Sequence, residues 1–240
     1  MGQNIEYDLI LKNGIVVLPE ETTKVDVGIK NDKIHTIGCL ADSSADNVID
    51  CDGLHVLPGV IDSQVHFREP GLENKENLES GMLAAAAGGV TSVFEMPNTD
   101  PLTITPDTIK DKLQRASRVA WTDYAFYLGG TGRTGPNLGE WENAPGICGI
   151  KIFMGASTGE LMTASDEEVE SVLSNGKRVV AVHAEDQFIM QKNMKEILKD
   201  QTDVSLHSVW RSPESCLSAT KRVVTIAKKY KRRVHVLHIT

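Results

Sequence analysis

The chain has no closely spaced cysteine pair. Cys39, Cys51, Cys148 and Cys216 are scattered, with no C-x-x-C. That argues against a disulfide framework and against a cysteine zinc knuckle, and reduced thiols in a cytoplasmic setting fit better. There is no apolar run of about 18 residues, so the sequence offers no membrane span. The polar and acidic start lacks the apolar core of a secretory signal, and export is not expected. Nor is there an excess of basic charge. A net charge of −8 and a pI near 5.4 argue against a nucleic-acid or anionic-membrane surface. The run Lys228-Lys229-Tyr230-Lys231-Arg232-Arg233 reads as the solvated end of a helix, where cations complement the dipole.

What remains is a chain of 240 residues, 24% charged and 40% hydrophobic, the balance of a globular protein. Its pattern changes near residue 58. Before that point the spacing predicts short strands: Tyr7 to Leu11 leading to an Asn13-Gly14 turn, Val25 to Lys30 turning at Asn31-Asp32 into Ile34 to Gly38, then Val48 to Asp50 and Leu54 to Leu57. Asn-Gly is a strong turn signal. Residues 1–57 are therefore a small all-β module, and Pro58-Gly59 marks its boundary. After it, strands alternate with helices, the signature of a parallel sheet. Strand-like runs are 60–67, 91–96, 123–128, 149–154, 179–184 and 234–239. Helices are expected over 78–87, 106–119, 165–174, 187–199 and 213–230, with Gly88-Gly89 as one stop, Pro106 in a first turn and Ser165 with Glu168 as a capping box. Six such repeats fall short of the eight strands and roughly 250 residues of a closed barrel. The expectation is an α/β barrel over 58–240 whose C-terminal part is missing.

The first of these strands reads as buried and apolar and runs into polar residues. On an extended strand Asp62, Gln64, His66 and Arg68 share one face. Lys151, His183 and His238 sit near the ends of three later strands. In a parallel barrel such ends converge on one mouth. Imidazole is a preferred zinc ligand, and several His from separate strands suit a catalytic site with an open position, where the metal lowers the pKa of its water to about 7. A lone His on an apolar strand is also often a hydrogen-bonded core residue. Lys151 is harder to explain as structure, because an unpaired buried ammonium is costly; it must pair, snorkel, lose its charge or react with carbon dioxide. His35, His55, His207 and His235 read as structural.

Residues 58–71 (P-G-V-I-D-S-Q-V-H-F-R-E-P-G), Gly88 to Thr91, Glu95 to Thr99, Gly149 to Gly155, His183 to Asp186 and His235 to His238 together resemble the dihydroorotases, a cyclic-amide branch of the amidohydrolase superfamily. The matches run in family order over about residues 55–240. The resemblance implies a TIM-type (β/α)8 barrel, here truncated after the sixth strand, with an N-terminal β-sandwich module. It implies a zinc enzyme, with one or two ions, that interconverts L-dihydroorotate and N-carbamoyl-L-aspartate in pyrimidine biosynthesis. By the same resemblance His66, Lys151, His183 and His238 are metal ligands, Lys151 as a bridging carbamate. Arg68 and Asn98 hold the substrate carboxylate. The family's general-base Asp is expected beyond residue 240, so no catalytic base is named. The partners implied are a small-molecule substrate and a second copy of the chain or a transcarbamoylase, with no nucleic acid or membrane. Gln64 departs from the family, which has a metal-binding His there, so the first metal position is expected to be weak or empty. Asp62 is expected to orient a ligand by hydrogen bonding. An allantoinase- or hydantoinase-like enzyme and an inert dihydroorotase-like structural partner are the alternative readings.

Overall fold

A computed structural model describes residues 6–155, 159–198 and 203–239. The chain divides into two compact units, Met1–Gly59 and Val60–Thr240.

The first unit holds β1 (Glu6–Val17), β2 (Thr22–Lys30), β3 (Lys33–Gly38), β4 (Ser44–Asp50) and β5 (His55–Val56). They form one sheet in the order β3-β2-β1-β4, with β5 also on β1. The β1–β2 and β2–β3 pairs are antiparallel, while β4 and β5 run parallel to β1. The β-sandwich expected here is, among the described residues, a single mixed sheet. Asn31 and Asp32 both have positive φ, as a two-residue hairpin turn requires. Asn13-Gly14 is not a turn. β1 runs straight through it with a register shift between Leu11 and Gly14. Asn13, at φ 61, donates its N–H to Asp26 Oδ1 at 2.8 Å and its Nδ2 to Asp50 Oδ1 at 3.0 Å. These side-chain acceptors on two flanking strands turn a local hairpin signal into a bulge.

The second unit is α/β. Its elements are β6 (Val60–Val65), α1 (Leu78–Ala87), β7 (Val90–Glu95), α2 (Pro106–Ala116), β8 (Asp123–Gly129), α3 (Leu138–Trp141), β9 (Ile147–Phe153), α4 (Asp166–Leu173), β10 (Val180–His183), α5 (Gln187–Asn193), α6 (His207–Trp210), α7 (Pro213–Tyr230) and β11 (Val234–Val236). The strands form one six-stranded sheet in chain order, parallel throughout. Helix starts follow local chemistry. Asn77 Oδ1 accepts from Ser80 N at 2.8 Å, Thr105 caps α2 in a box with Thr108, and Ser165 with Glu168 forms the expected box on α4, each satisfying otherwise orphaned N–H groups.

Helices cover one face of the sheet. Val93, Phe126, Ile150, Ile152, Val180 and Val182 pack with the helices. On the other face Met96, Tyr127, Ala181 and Leu237 form a smaller cluster, and Tyr127 Oη donates to the Ser63 carbonyl of β6 at 3.3 Å.

Three expectations need correction. β6 is an outermost strand, not a buried one: Val60 and Ile61 are 55% and 60% exposed. It also ends at Val65, and β11 ends at Val236, because positive φ at Arg68 and His238 turns the chain away from extended geometry. The helix expected over 187–199 is α only to Asn193 and continues as a π turn over Met194–Leu198; residue 199 lies outside the described residues.

Candidate active site

β9 places Lys151. Ile150 and Ile152 face the helix-side core, so the alternation of a strand sends Lys151 to the opposite face, where it is 1% exposed. Its ammonium lies 4.3 Å from the centroid of the Phe153 ring. Burial pushes its pKa down to about 7, so a substantial fraction is neutral amine near neutral pH.

β10 is in register with β9, Ala181 beside Lys151 and His183 beside Phe153. Lys151 and His183 therefore share a face. β11 brings His238 differently from the expected strand alternation. Leu237 N–H still donates to the Val182 carbonyl at 3.0 Å, but His238 then adopts φ 37, an uncommon conformation that clusters at functional sites. The turn sets His238 Nε2 3.2 Å from His183 Nδ1, with the rings edge-to-face at 4.9 Å. Both line a cavity of ≈ 340 Å³ with Glu185, Arg211, Cys216 and Leu237.

His66 follows β6 directly. Its Nδ1 lies 2.8 Å from Asn98 Oδ1; an amide oxygen only accepts, so Nδ1 carries the proton and Nε2 the lone pair. Burial, and then the positive charges of Arg68, Lys151 and His238, hold its pKa down at about 4, against the pull of the Asn98 bond. His238 is likewise lowered by burial and by His183. Arg68 stands at φ 67, half-buried, and among the described residues no carboxylate pairs with its guanidinium. Asn98 does something not foreseen: its carbonyl orients His66, and among the described residues its NH2 has no acceptor. Asp62 also differs from expectation. Its Oδ1 accepts the backbone N–H of Gln64 at 3.0 Å, a local turn where the β6–β7 register shifts, rather than a ligand imidazole.

The sequence reading missed Glu185 and Arg211 as part of this cluster. Glu185 Oε2 lies 2.5 Å from His183 Nε2. Arg211 grips the same carboxylate with two nitrogens, Nε on Oε1 at 2.9 Å and Nη2 on Oε2. Burial alone would raise the Glu185 pKa, but bonds from His183 and Arg211 prevail and hold it at about 2. The i, i+2 spacing of His183 and Glu185 was a usable signal; nothing in sequence links either to Arg211. His207, read as structural, lies 3.4 Å from the Arg211 guanidinium.

The donor chemistry fits a transition-metal ion. Neutral imidazole is the ligating form, and 3.2 Å between facing nitrogens matches two ligands each about 2.0–2.1 Å from one tetrahedral ion. Among the described residues, no three His, Cys, Asp or Glu side chains converge on a single metal position. The fit is thus the His183–His238 pair, with His66 and the Lys151 amine nearby.

Residues 53–132 match the family model described as "Dihydro-orotase-like". An allantoinase of Bacillus velezensis is 32% identical over 98% of this chain and 53% of its own length. A dihydroorotase of Methanosarcina acetivorans is 34% identical over 97% of this chain and 50% of its own. Among solved structures, an L-hydantoinase (dihydropyrimidinase) from Arthrobacter aurescens superposes with a TM-score of 0.89 at 30% identity, covering 97% of this chain and 53% of that one. The chain spans about half the length of the curated relatives it matches.

Proposed function

We propose, from its similarity to dihydroorotase-like proteins, that the chain belongs to a metal-dependent cyclic amidohydrolase, a dihydroorotase that opens and closes the ring between L-dihydroorotate and N-carbamoyl-L-aspartate. The observation that carries the choice of substrate is Arg68, a half-buried guanidinium without a carboxylate partner among the described residues, beside a His66 kept neutral by burial and by neighbouring positive charge. A guanidinium fork pairs bidentately with a carboxylate, and dihydroorotate carries one next to its ring amide.

His183, His238, His66 and Lys151 would hold the metal, Lys151 by its neutral amine or as a carbamate. Bound there, a zinc ion would supply a Lewis acid for the ring carbonyl and an activated water. The protein's own residues do the rest. Arg68 anchors the substrate carboxylate, the Asn98 amide NH2 adds a neutral donor beside it, and Asn98 Oδ1 keeps the His66 lone pair on Nε2. Such anchoring fixes the ring carbonyl near the reacting centre, and orientation alone lowers the barrier of a ring-opening step.

A second reading, an allantoin- or hydantoin-cleaving enzyme, is favoured by the similarity to an allantoinase and an L-hydantoinase. One experiment separates the two. Turnover of dihydroorotate, allantoin and hydantoin is measured with zinc and bicarbonate supplied, for the parent protein and for Arg68→Ala. Loss of a charge-assisted bond of about 1.5–3 kcal/mol is expected to raise KM for dihydroorotate roughly 10- to 100-fold while leaving any hydantoin turnover unchanged. An Arg68→Ala protein that handles dihydroorotate normally would sink the substrate assignment. Absence of both metal and turnover would favour the inert partner that Gln64 suggests.

A further inference from the structure

We propose that Arg211 is a positioning residue: through Glu185 it fixes the tautomer of His183 so that Nδ1, rather than Nε2, faces the metal position. This rests on the metal-site reading above. The Glu185 carboxylate is almost fully buried and can only accept hydrogen bonds. It lies 2.5 Å from His183 Nε2, so Nε2 must carry the proton, and neutral His183 then has its lone pair on Nδ1. That nitrogen faces His238 Nε2 at 3.2 Å. A Glu185 that lost its cation would be free to rotate away from Nε2, and the imidazole proton could then sit on Nδ1, which blocks coordination from that atom.

Arg211 is built to prevent this. Its planar fork meets both carboxylate oxygens, a geometry that a lysine cannot reproduce. The fork is itself held in place. The Arg211 backbone N–H donates to the His207 carbonyl at 3.2 Å, and the guanidinium lies 5.7 Å from the Trp210 ring centroid. The arrangement is separate from the anchoring of the neighbouring turn. Asp186 is held independently by Arg222 at 3.0 Å and by Ser218 at 2.8 Å, so loss of Arg211 leaves the β10–α7 connection in place. Outer hydrogen bonds of this kind typically change metal affinity 10- to 100-fold.

The test has two readouts. In metal-free protein, imidazole ¹⁵N shifts report which nitrogen of His183 is protonated. Zinc affinity is then measured by competition with a chromophoric chelator. The parent protein is expected to show the Nε2–H form. Arg211→Met is expected to populate Nδ1–H and to bind zinc about 10- to 100-fold more weakly, and Arg211→Lys to recover part of the loss. If Arg211→Met proves unfolded, the parent spectrum and the Arg211→Lys affinity still decide. A parent His183 in the Nδ1–H form, or an Arg211→Met protein with unchanged tautomer and affinity, overturns the proposal. A parent that shows Nε2–H and loses it on Arg211→Met, yet binds no zinc, supports the positioning role and refutes the metal reading instead.

Discussion

An ammonium at Lys151 has left water for a position where the Phe153 ring faces it and where burial lowers its pKa to about 7. In the unfolded chain the ordinary value is 10.5. Between these values the unfolded state binds more protons than the folded one, so stability rises with pH across that window. Below about pH 7 the folded protein bears the full penalty of a buried charge, and above about 10.5 it bears none. Lys151→Met removes the titration. Each tenfold loss of proton affinity on folding corresponds to about 1.4 kcal/mol. The stability gain of Lys151→Met over the parent is therefore expected to be several kcal/mol near pH 6.5 and to shrink toward pH 10. Urea unfolding of both proteins across that range checks it; parallel profiles would mean that Lys151 finds a compensating partner in solution. The oddity of Lys151 was legible in sequence because a lysine amid Ile150, Ile152 and Phe153 breaks an apolar strand. The role of Glu185 was half legible, as a neighbour of His183. That of Arg211 was not, because a contact spanning 26 residues leaves no periodic trace.

At the scale of elements, helix α1 carries a glycine that its own propensity opposes. Gly81 stands mid-helix, where alanine is better by about 1 kcal/mol. Yet an added Cβ would lie 2.3 Å from Phe67 Cδ1, and Phe67 is buried in the core at 5% exposure. Overpacking of this kind costs about 1–3 kcal/mol, which outweighs the propensity. Gly81→Ala is thus expected to lower the melting temperature and, because Phe67 lies between His66 and Arg68, to weaken substrate binding as well. A stabilised Gly81→Ala would show that the 66–68 segment gives way without strain. Helix starts were readable since caps act within four residues, as at Thr105 and Ser165. The ends of β6 and β11 were not, since the positive φ of Arg68 and His238 belongs to residues that usually avoid it. Asn13-Gly14 misled for the opposite reason: a strong local turn signal was overruled by Asp26 and Asp50 on flanking strands.

At the scale of the α/β unit, a buried ion pair joins the helix layer to the sheet. Lys112 of α2 meets Glu95 of β7 at 2.7 Å, with side-chain exposures of 1% and 2%. Burial pushes the Glu95 pKa up and the Lys112 pKa down, each against its partner's charge, so desolvation offsets the attraction. Lys112→Met alone strands a buried carboxylate and is expected to cost about 3–5 kcal/mol. Glu95→Leu with Lys112→Met should recover most of that loss. A double-mutant cycle by urea unfolding measures the coupling, and a double variant as unstable as the summed singles would mean that Lys112 and Glu95 are not coupled. Among the described residues no helix is long and apolar enough to cross a membrane.

The sequence by itself determined the α/β order of strands and helices and the helix caps, because periodicity and capping act over a few residues. It also marked His66, Arg68, Lys151, His183 and His238 as unusual, since polar groups at the ends of apolar strands need a reason. The tertiary structure alone decided which of these meet. The facing nitrogens of His183 and His238, the Asn98 clamp on His66 and the Arg211 fork on Glu185 depend on strand register and on two left-handed residues. Both are set by packing between segments far apart in the chain, where local sequence rules have no reach.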